Sequence, residues 1–266
     1  MQDFHTIPVQ IADGDNSQAF FSYQPATTLV VFVHGFKGSA LGTWDDFPEA
    51  VTNDADFAHT DFIFYGYDTL SASASFHATA FKKFLERCVH PLAGKVLPAT
   101  QGLPERVYTS IILVAHSLGA LVVRQAVVMA CKQDAAWLPK ISLLLFAPAH
   151  TGARVQKLAK EVLSGWTALI SPFVTYQYPV YEDLEPGSQF IATLVDETKK
   201  LLADKKYPCN IARKVIWAER DRVVSQINFC DDPDAELVYK KNHVNVCKPD
   251  ATYTQPVDFL KELLHQ

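Results

Sequence analysis

The sequence has no Cys-x-x-Cys pair and no regular cysteine spacing: its five cysteines, at 88, 131, 209, 230 and 247, are odd in number and scattered. That excludes a disulfide framework and fits free thiols in a reducing compartment. Low-complexity tracts and internal repeats are missing too, which argues against a solenoid or a disordered chain. Nor is there a clustered basic face. The formal net charge is -5 and the pI is about 6.0, so nucleic acid is not expected as a partner. The start, Met-Gln-Asp-Phe-His-Thr-Ile-Pro, has no basic residues leading into an apolar stretch. No secretory signal is expected, and the chain reads as cytoplasmic or otherwise intracellular. Cys230, His243 and Cys247 have the spacing of half a zinc site, but a fourth ligand close in sequence is missing, so no metal is expected there.

What is present is an ordinary globular composition, 48% hydrophobic and 20% charged over 266 residues. That length can bury one large core, and a single domain over 1–266 with an insertion is expected. Short strands are predicted at 6–11 and 19–23, separated by a turn-forming Asp-Gly-Asp-Asn-Ser, as an antiparallel hairpin. Apolar runs at 29–33, 61–67, 111–114, 141–146 and 214–218 read as buried strands, and 237–240 as a short last one. Helical patterns cover 73–88, 118–132 and 255–264. Strands alternating with helices imply an α/β fold, a mostly parallel sheet built from right-handed crossovers with helices on both faces. Catalytic loops of such sheets gather at the strand carboxyl ends.

The alternation lapses over 151–206, which reads as a cap or lid, helical at 155–162 and 190–205 and irregular between. Residues 162–181 carry no charge and hold many aromatic side chains, but Gly165, Pro172 and Pro179 would make a poor membrane span. An apolar cap over a pocket, able to touch a membrane surface transiently, accommodates them, as does plain core packing.

The chain turns on residues 110–120, Ser-Ile-Ile-Leu-Val-Ala-His-Ser-Leu-Gly-Ala. Here a buried strand passes through Ser117 into a long helix, and small residues, Ala115 and Gly119, stand two places to either side. A tight strand-to-helix turn needs them because it presses backbones together. The pattern resembles the α/β-hydrolase nucleophile elbow, Gly-x-Ser-x-Gly, with alanine in the first glycine position. A second glycine-rich turn, His34-Gly35-Phe36-Lys37-Gly38, follows the 29–33 strand. In a hydrolase of this type it supplies one oxyanion donor, the Phe36 N–H, and the residue after the nucleophile, Leu118, supplies the other.

Serine is a poor nucleophile unless a histidine takes its proton and a carboxylate orients that histidine. Chain order in these hydrolases is Ser, then acid, then His, and Ser117, Asp221 and His243 obey it. Among nine histidines, His34 and His116 adjoin the oxyanion turns and are expected to brace them. His150 follows a strand and is the rival base, although it precedes the acid. Asp221 is preferred to Glu219, with Asp183, Asp231 and Asp232 as fallbacks.

Taken together, Phe32 to Phe36 with Thr43-Trp44, the elbow, Ala147-Pro148 to Gly152, Asp183-Leu-Glu-Pro-Gly-Ser188 and Asn242-His243 with Cys247-Lys-Pro249 resemble the lipase-like serine esterases of the α/β-hydrolase superfamily. The subgroup is the one that holds the PGAP-one-like, SERAC-type and DUF676-type proteins. The resemblance implies hydrolysis of lipid-like or acylated carboxylic esters, with a small-molecule ester as partner and no cofactor. A thioesterase or amidase would use the same parts, and a catalytically silent hydrolase fold would serve binding or signalling.

Overall fold

A computed structural model describes residues 4–12, 14–89, 102–104, 106–154, 178–204 and 211–264. Eight strands form one sheet: β1 (Val9–Gln10), β2 (Gln18–Phe20), β3 (Thr28–Val33), β4 (Thr60–Tyr65), β5 (Ser110–His116), β6 (Ile141–Phe146), β7 (Lys214–Ala218) and β8 (Glu236–Val238), in the order β1-β2-β4-β3-β5-β6-β7-β8. The hairpin β1–β2 and the β2–β4 pair are antiparallel, and every pairing from β4 to β8 is parallel. Central β4 and β5 are almost wholly buried, which is why they read as unbroken apolar runs rather than alternating ones.

Helices cover both faces. Phe32 of β3 packs edge-on against Trp44 and against Phe47 of α1 (Phe47–Thr52). On the same face, Phe146 of β6 meets Phe259 of the closing helix (Gln255–Leu264). Tyr65, pointing the other way from β4, packs on Phe81 and Phe84 of α2 (Ala74–Val89). Beside α2 lies α3 (Leu118–Cys131), buried along nearly its whole length. Two further helices follow, α4 (Pro179–Leu184) and α5 (Gln189–Ala203), the latter against α3, and the closing helix is α6.

Four strands stop short of their predicted extents, β2 at Phe20 and β4 at Tyr65 among them. The 6–11 strand is cut to β1 with a separate bridge from His5 to Ser22, because Pro8 has no N–H to give the ladder. β8 stops at Val238, two residues before Lys240, whose φ of 62° cannot continue a strand. Helices α1 and α4 carry no predicted counterpart, since each is only six residues long, with a proline in its first two positions, too short for an apolar period to register. The predicted helix at 190–205 is α5. The helix at 155–162 and most of the aromatic stretch at 162–181 lie outside the described residues. Among the described residues no helix is long and apolar enough to cross a membrane.

Candidate active site

β5 hands the chain to α3 through Ser117, which sits at φ 54° and ψ −119°, outside the regions open to most L-residues. Such a conformation costs on the order of 1–3 kcal/mol and persists only where its surroundings over-determine it. They do so here. The Ser117 N–H donates to the Phe146 carbonyl at 3.1 Å, and its own carbonyl accepts from Ala120 at 3.1 Å and Ala149 at 3.2 Å. The small neighbour Gly119 is obligatory, because a methyl there would stand 2.3 Å from the Val33 carbonyl oxygen and 2.6 Å from that of His34. The end of β3 and the start of α3 are thus pressed together, and the turn after β3 comes with them. At Gly35 a methyl would lie 2.8 Å from the Ser117 Cβ.

Ser117 leads α3, so the Leu118 amide is one of the N–H groups that a helix start leaves without an internal acceptor. Among the described residues neither the Leu118 nor the Phe36 amide finds a protein acceptor. Leu118 follows the serine at the positive end of the α3 dipole, and Phe36 follows Gly35, which abuts Ser117. The Phe36 ring is buried and packs on Tyr181 of α4, their centroids 5.2 Å apart.

Ser117, His243 and Asp221 come together from three distant parts of the chain. His243 Nε2 lies 2.9 Å from Ser117 Oγ, and His243 Nδ1 lies 2.9 Å from Asp221 Oδ2. All three are buried at the side chain. The other carboxylate oxygen, Oδ1, accepts from the Val223 N–H at 2.8 Å and the Val224 N–H at 3.1 Å. Burial alone would push the Asp221 carboxyl up, but the hydrogen bond and charge of His243 and the two amides outweigh it and hold the group below its ordinary value. An ionised Asp221 only accepts, so the imidazole proton sits on Nδ1 and the Nε2 lone pair faces the serine hydroxyl.

The backbone around His243 is also fixed. Asn242 Oδ1 accepts from the Val244 and Asn245 amides at 3.0 and 3.1 Å. His116 Nε2 donates to the His243 carbonyl at 2.7 Å. Burial, with His243 nearby, pushes the His116 imidazole down to about 3, so it stays neutral and acts as a strut. His34 braces the other turn: Nδ1 donates to the Gly35 carbonyl at 2.9 Å, Nε2 accepts from the Tyr67 N–H at 3.2 Å, and the Tyr67 hydroxyl donates to the His34 carbonyl at 2.8 Å. Burial lowers His34 to about 4.

The rival residues are engaged elsewhere. His150 Nε2 donates to the Ile227 carbonyl at 2.7 Å, and its ring packs against Trp217 and Phe229. Glu219 accepts from the Lys240 amide at 2.8 Å, Asp183 from the Ala74 amide at 2.7 Å at the start of α2, and Asp232 is paired with buried Arg124. Asp231 is exposed. As for the zinc-like spacing, both ring nitrogens of His243 are already committed to Ser117 and Asp221. The Cys247 thiol is buried and pushed up to about 12, which works against the thiolate a metal needs.

Sequence reasoning missed the paired amides on Asp221, the bond from His116, expected to brace an oxyanion turn, to the His243 carbonyl instead, and the Tyr181 contact with Phe36. Only the first left a local signal, since an aspartate accepting from amides two and three residues on is an Asx-type turn. The other two join residues far apart in the chain.

Comparison with known proteins follows the same lines. The fold matches the crystal structure of the Bacillus licheniformis lipase BlEst2 in its mature form, with a TM-score of 0.55 at 16% identity over 95% of each chain. It matches the peroxisomal alpha-beta-hydrolase Lpx1 of Saccharomyces cerevisiae with a TM-score of 0.56 at 12% identity, covering 93% of this chain and 81% of that one. Phospholipase PlaB of Legionella pneumophila matches with a TM-score of 0.50 at 21% identity, over 73% of this chain but 38% of that one. No curated protein matches significantly in sequence. These likenesses establish the α/β-hydrolase fold. A family model described as "Putative serine esterase (DUF676)" matches residues 24–202, two thirds of the chain, and the chain belongs to that family.

Proposed function

We propose that this protein is a serine hydrolase of carboxylic esters, with Ser117 as nucleophile, His243 as general base and acid, and Asp221 as the group that orients His243. What carries the reading is the unbroken hydrogen-bonded path Asp221–His243–Ser117, with both links at 2.9 Å and the serine held on a strained turn. In the first half-reaction the Ser117 proton passes to His243 Nε2 as Oγ bonds to the ester carbonyl carbon. The electron pair of the carbonyl moves to its oxygen, which the Phe36 and Leu118 amides receive. Collapse breaks the bond to the alcohol, which leaves with the proton from Nε2. Water then gives a proton to His243, attacks the acyl-enzyme and releases the acid, and Ser117 regains its proton. Each oxyanion donor of this kind contributes about 3 kcal/mol to the transition state.

A lipid-like or acylated substrate is supported by the lipase and phospholipase among the structural neighbours and by the Phe36–Tyr181 contact beside the oxyanion donors. We read residues 151–206 as a cap over this site, and a transient membrane contact would fall on its aromatic part. Residues 155–177 and 205–206 of it lie outside those described. The test is a series of p-nitrophenyl esters of graded chain length, run beside Ser117→Ala and His243→Ala. Turnover by the parent that either change lowers about 10⁴-fold or more supports the reading. Equal turnover by the variants would overturn it.

A further inference from the structure

The mechanism above fixes where the alcohol half of the ester has to go. His243 must deliver its proton to the leaving oxygen while the Phe36 amide holds the oxyanion. The alcohol therefore departs between the turn after β3 and the loop that follows His243. A cavity of about 270 Å³ lies between those two segments, walled by Gly35 to Ser39 on one side and by Val244 and Lys248 on the other. Gly35 belongs both to this wall and to the contact with Ser117, and Val244, on the opposite wall, follows His243 in the chain, so the cavity adjoins the turns that hold the nucleophile and the base. Its volume sits at the small end of ligand pockets, suited to a polar head rather than to an acyl chain.

The charge on its walls has one sign. Lys37 and Lys248 line the cavity, and none of its lining residues is a carboxylate. The Lys248 ammonium is tethered at the wall by the Gly42 carbonyl at 3.1 Å and pairs at 3.8 Å with Asp45, whose carboxylate is largely exposed, leaving one N–H donor uncommitted. Among the described residues the Lys37 ammonium has no ion-pair partner, while the Lys37 backbone is pinned by the Thr69 hydroxyl at 2.9 Å and sits at φ 51°. His116, which also lines the cavity beside the uncharged Ser39 and Thr43, is held neutral by burial. Two cations in a small recess beside the scissile bond cost self-repulsion, and an anion relieves it.

We infer that this cavity receives the alcohol half of the substrate and that Lys37 and Lys248 select esters whose alcohol carries a phosphate, as in an acyl glycerol phosphate. The inference rests on the esterase reading and sharpens it, from carboxylic esters in general to those with an anionic leaving alcohol.

The test compares a matched pair, 1-butanoylglycerol and 1-butanoylglycerol 3-phosphate, as the ratio of their kcat/KM values. The wild type is expected to favour the phosphate by on the order of tenfold or more, a preference carried in KM. Lys37→Gln lowers the ratio several-fold, and Lys37→Gln with Lys248→Gln brings it near one. A wild-type ratio near one, or a ratio that the double variant leaves unmoved, overturns the inference. Should the double variant fail to fold, Lys37→Gln alone decides, since no ion pair is lost with it. Glycerol 3-phosphate is expected to compete with the phosphate ester in the wild type. If it instead inhibits both esters alike while the ratio stays at one, the cavity is a free-phosphate site and the leaving-group assignment fails. Long-chain acyl versions of both esters tell a phospholipid from a soluble phosphorylated ester. A wild type that cleaves no ester and takes no fluorophosphonate on Ser117 sinks the esterase reading itself; labelling with no discrimination sinks only the inference.

Discussion

Asp221→Asn tests the orienting role proposed for this carboxylate without changing its shape. In the parent, Oδ1 accepts from the Val223 and Val224 amides while Oδ2 faces His243 Nδ1. An asparagine has one acceptor and one donor to place. Keeping its oxygen on the two amides preserves two hydrogen bonds, each worth about 1 kcal/mol, whereas turning it round would set an NH₂ against two N–H donors. The NH₂ therefore faces His243 and drives the imidazole proton to Nε2, where it points at Ser117 instead of accepting from it. The imidazolium formed during turnover loses its counter-charge as well. The same change in a serine-protease triad lowers kcat about 10⁴-fold, equivalent to about 5.5 kcal/mol of transition-state stabilisation, and a loss of that size is expected here. The assay is p-nitrophenyl ester hydrolysis with thermal unfolding as a control on the fold. A loss under tenfold in a folded variant would show that Asp221 does not orient the base.

Gly119→Ala places a methyl 2.3 Å from the Val33 carbonyl, where neither β3 nor α3 can yield. We expect destabilisation of about 3 kcal/mol or more, read as a lowered denaturation midpoint; an unchanged midpoint would contradict the packing described. The buried histidines make a pH prediction. Burial holds His34 at about 4 and His116 and His150 at about 3, against an ordinary value of 6.5. Below pH 6.5 the unfolded chain binds protons that the folded chain refuses. Stability is therefore full above that pH and falls as pH drops toward the folded values, by about 2 kcal/mol per histidine at pH 5. Urea denaturation at about pH 7.5 and pH 5 measures it, and equal midpoints would refute it.

The sheet was legible wherever an apolar run was long and central. Residues 141–146 and 214–218 coincide with β6 and β7, because strands buried on both faces are mostly apolar, here with only Ser142 and Lys214 as exceptions. At the edges the reading faded: Pro8 breaks a run that looked continuous, and the left-handed backbone at Lys240 has no glycine to announce it. The candidate site, as a meeting of Ser117, His243 and Asp221, was legible for a different reason. Ala115-x-Ser117-x-Gly119 is a local pattern with a local steric cause, and the order of acid and base follows from which strand ends share a rim. His116 bracing the His243 carbonyl spans 127 positions, and no local pattern encodes it. The zinc-like spacing of Cys230, His243 and Cys247 shows the converse, a pattern in sequence whose central residue has both nitrogens occupied in space.

On the proposed mechanism Ser117 is made reactive by His243. Treatment of the folded protein with a fluorophosphonate, followed by intact mass and peptide mapping, tests it most directly. The expected result is a single adduct on Ser117, with labelling slowed by orders of magnitude in His243→Ala. An unlabelled folded protein, an adduct on another residue, or equal labelling of His243→Ala would contradict it.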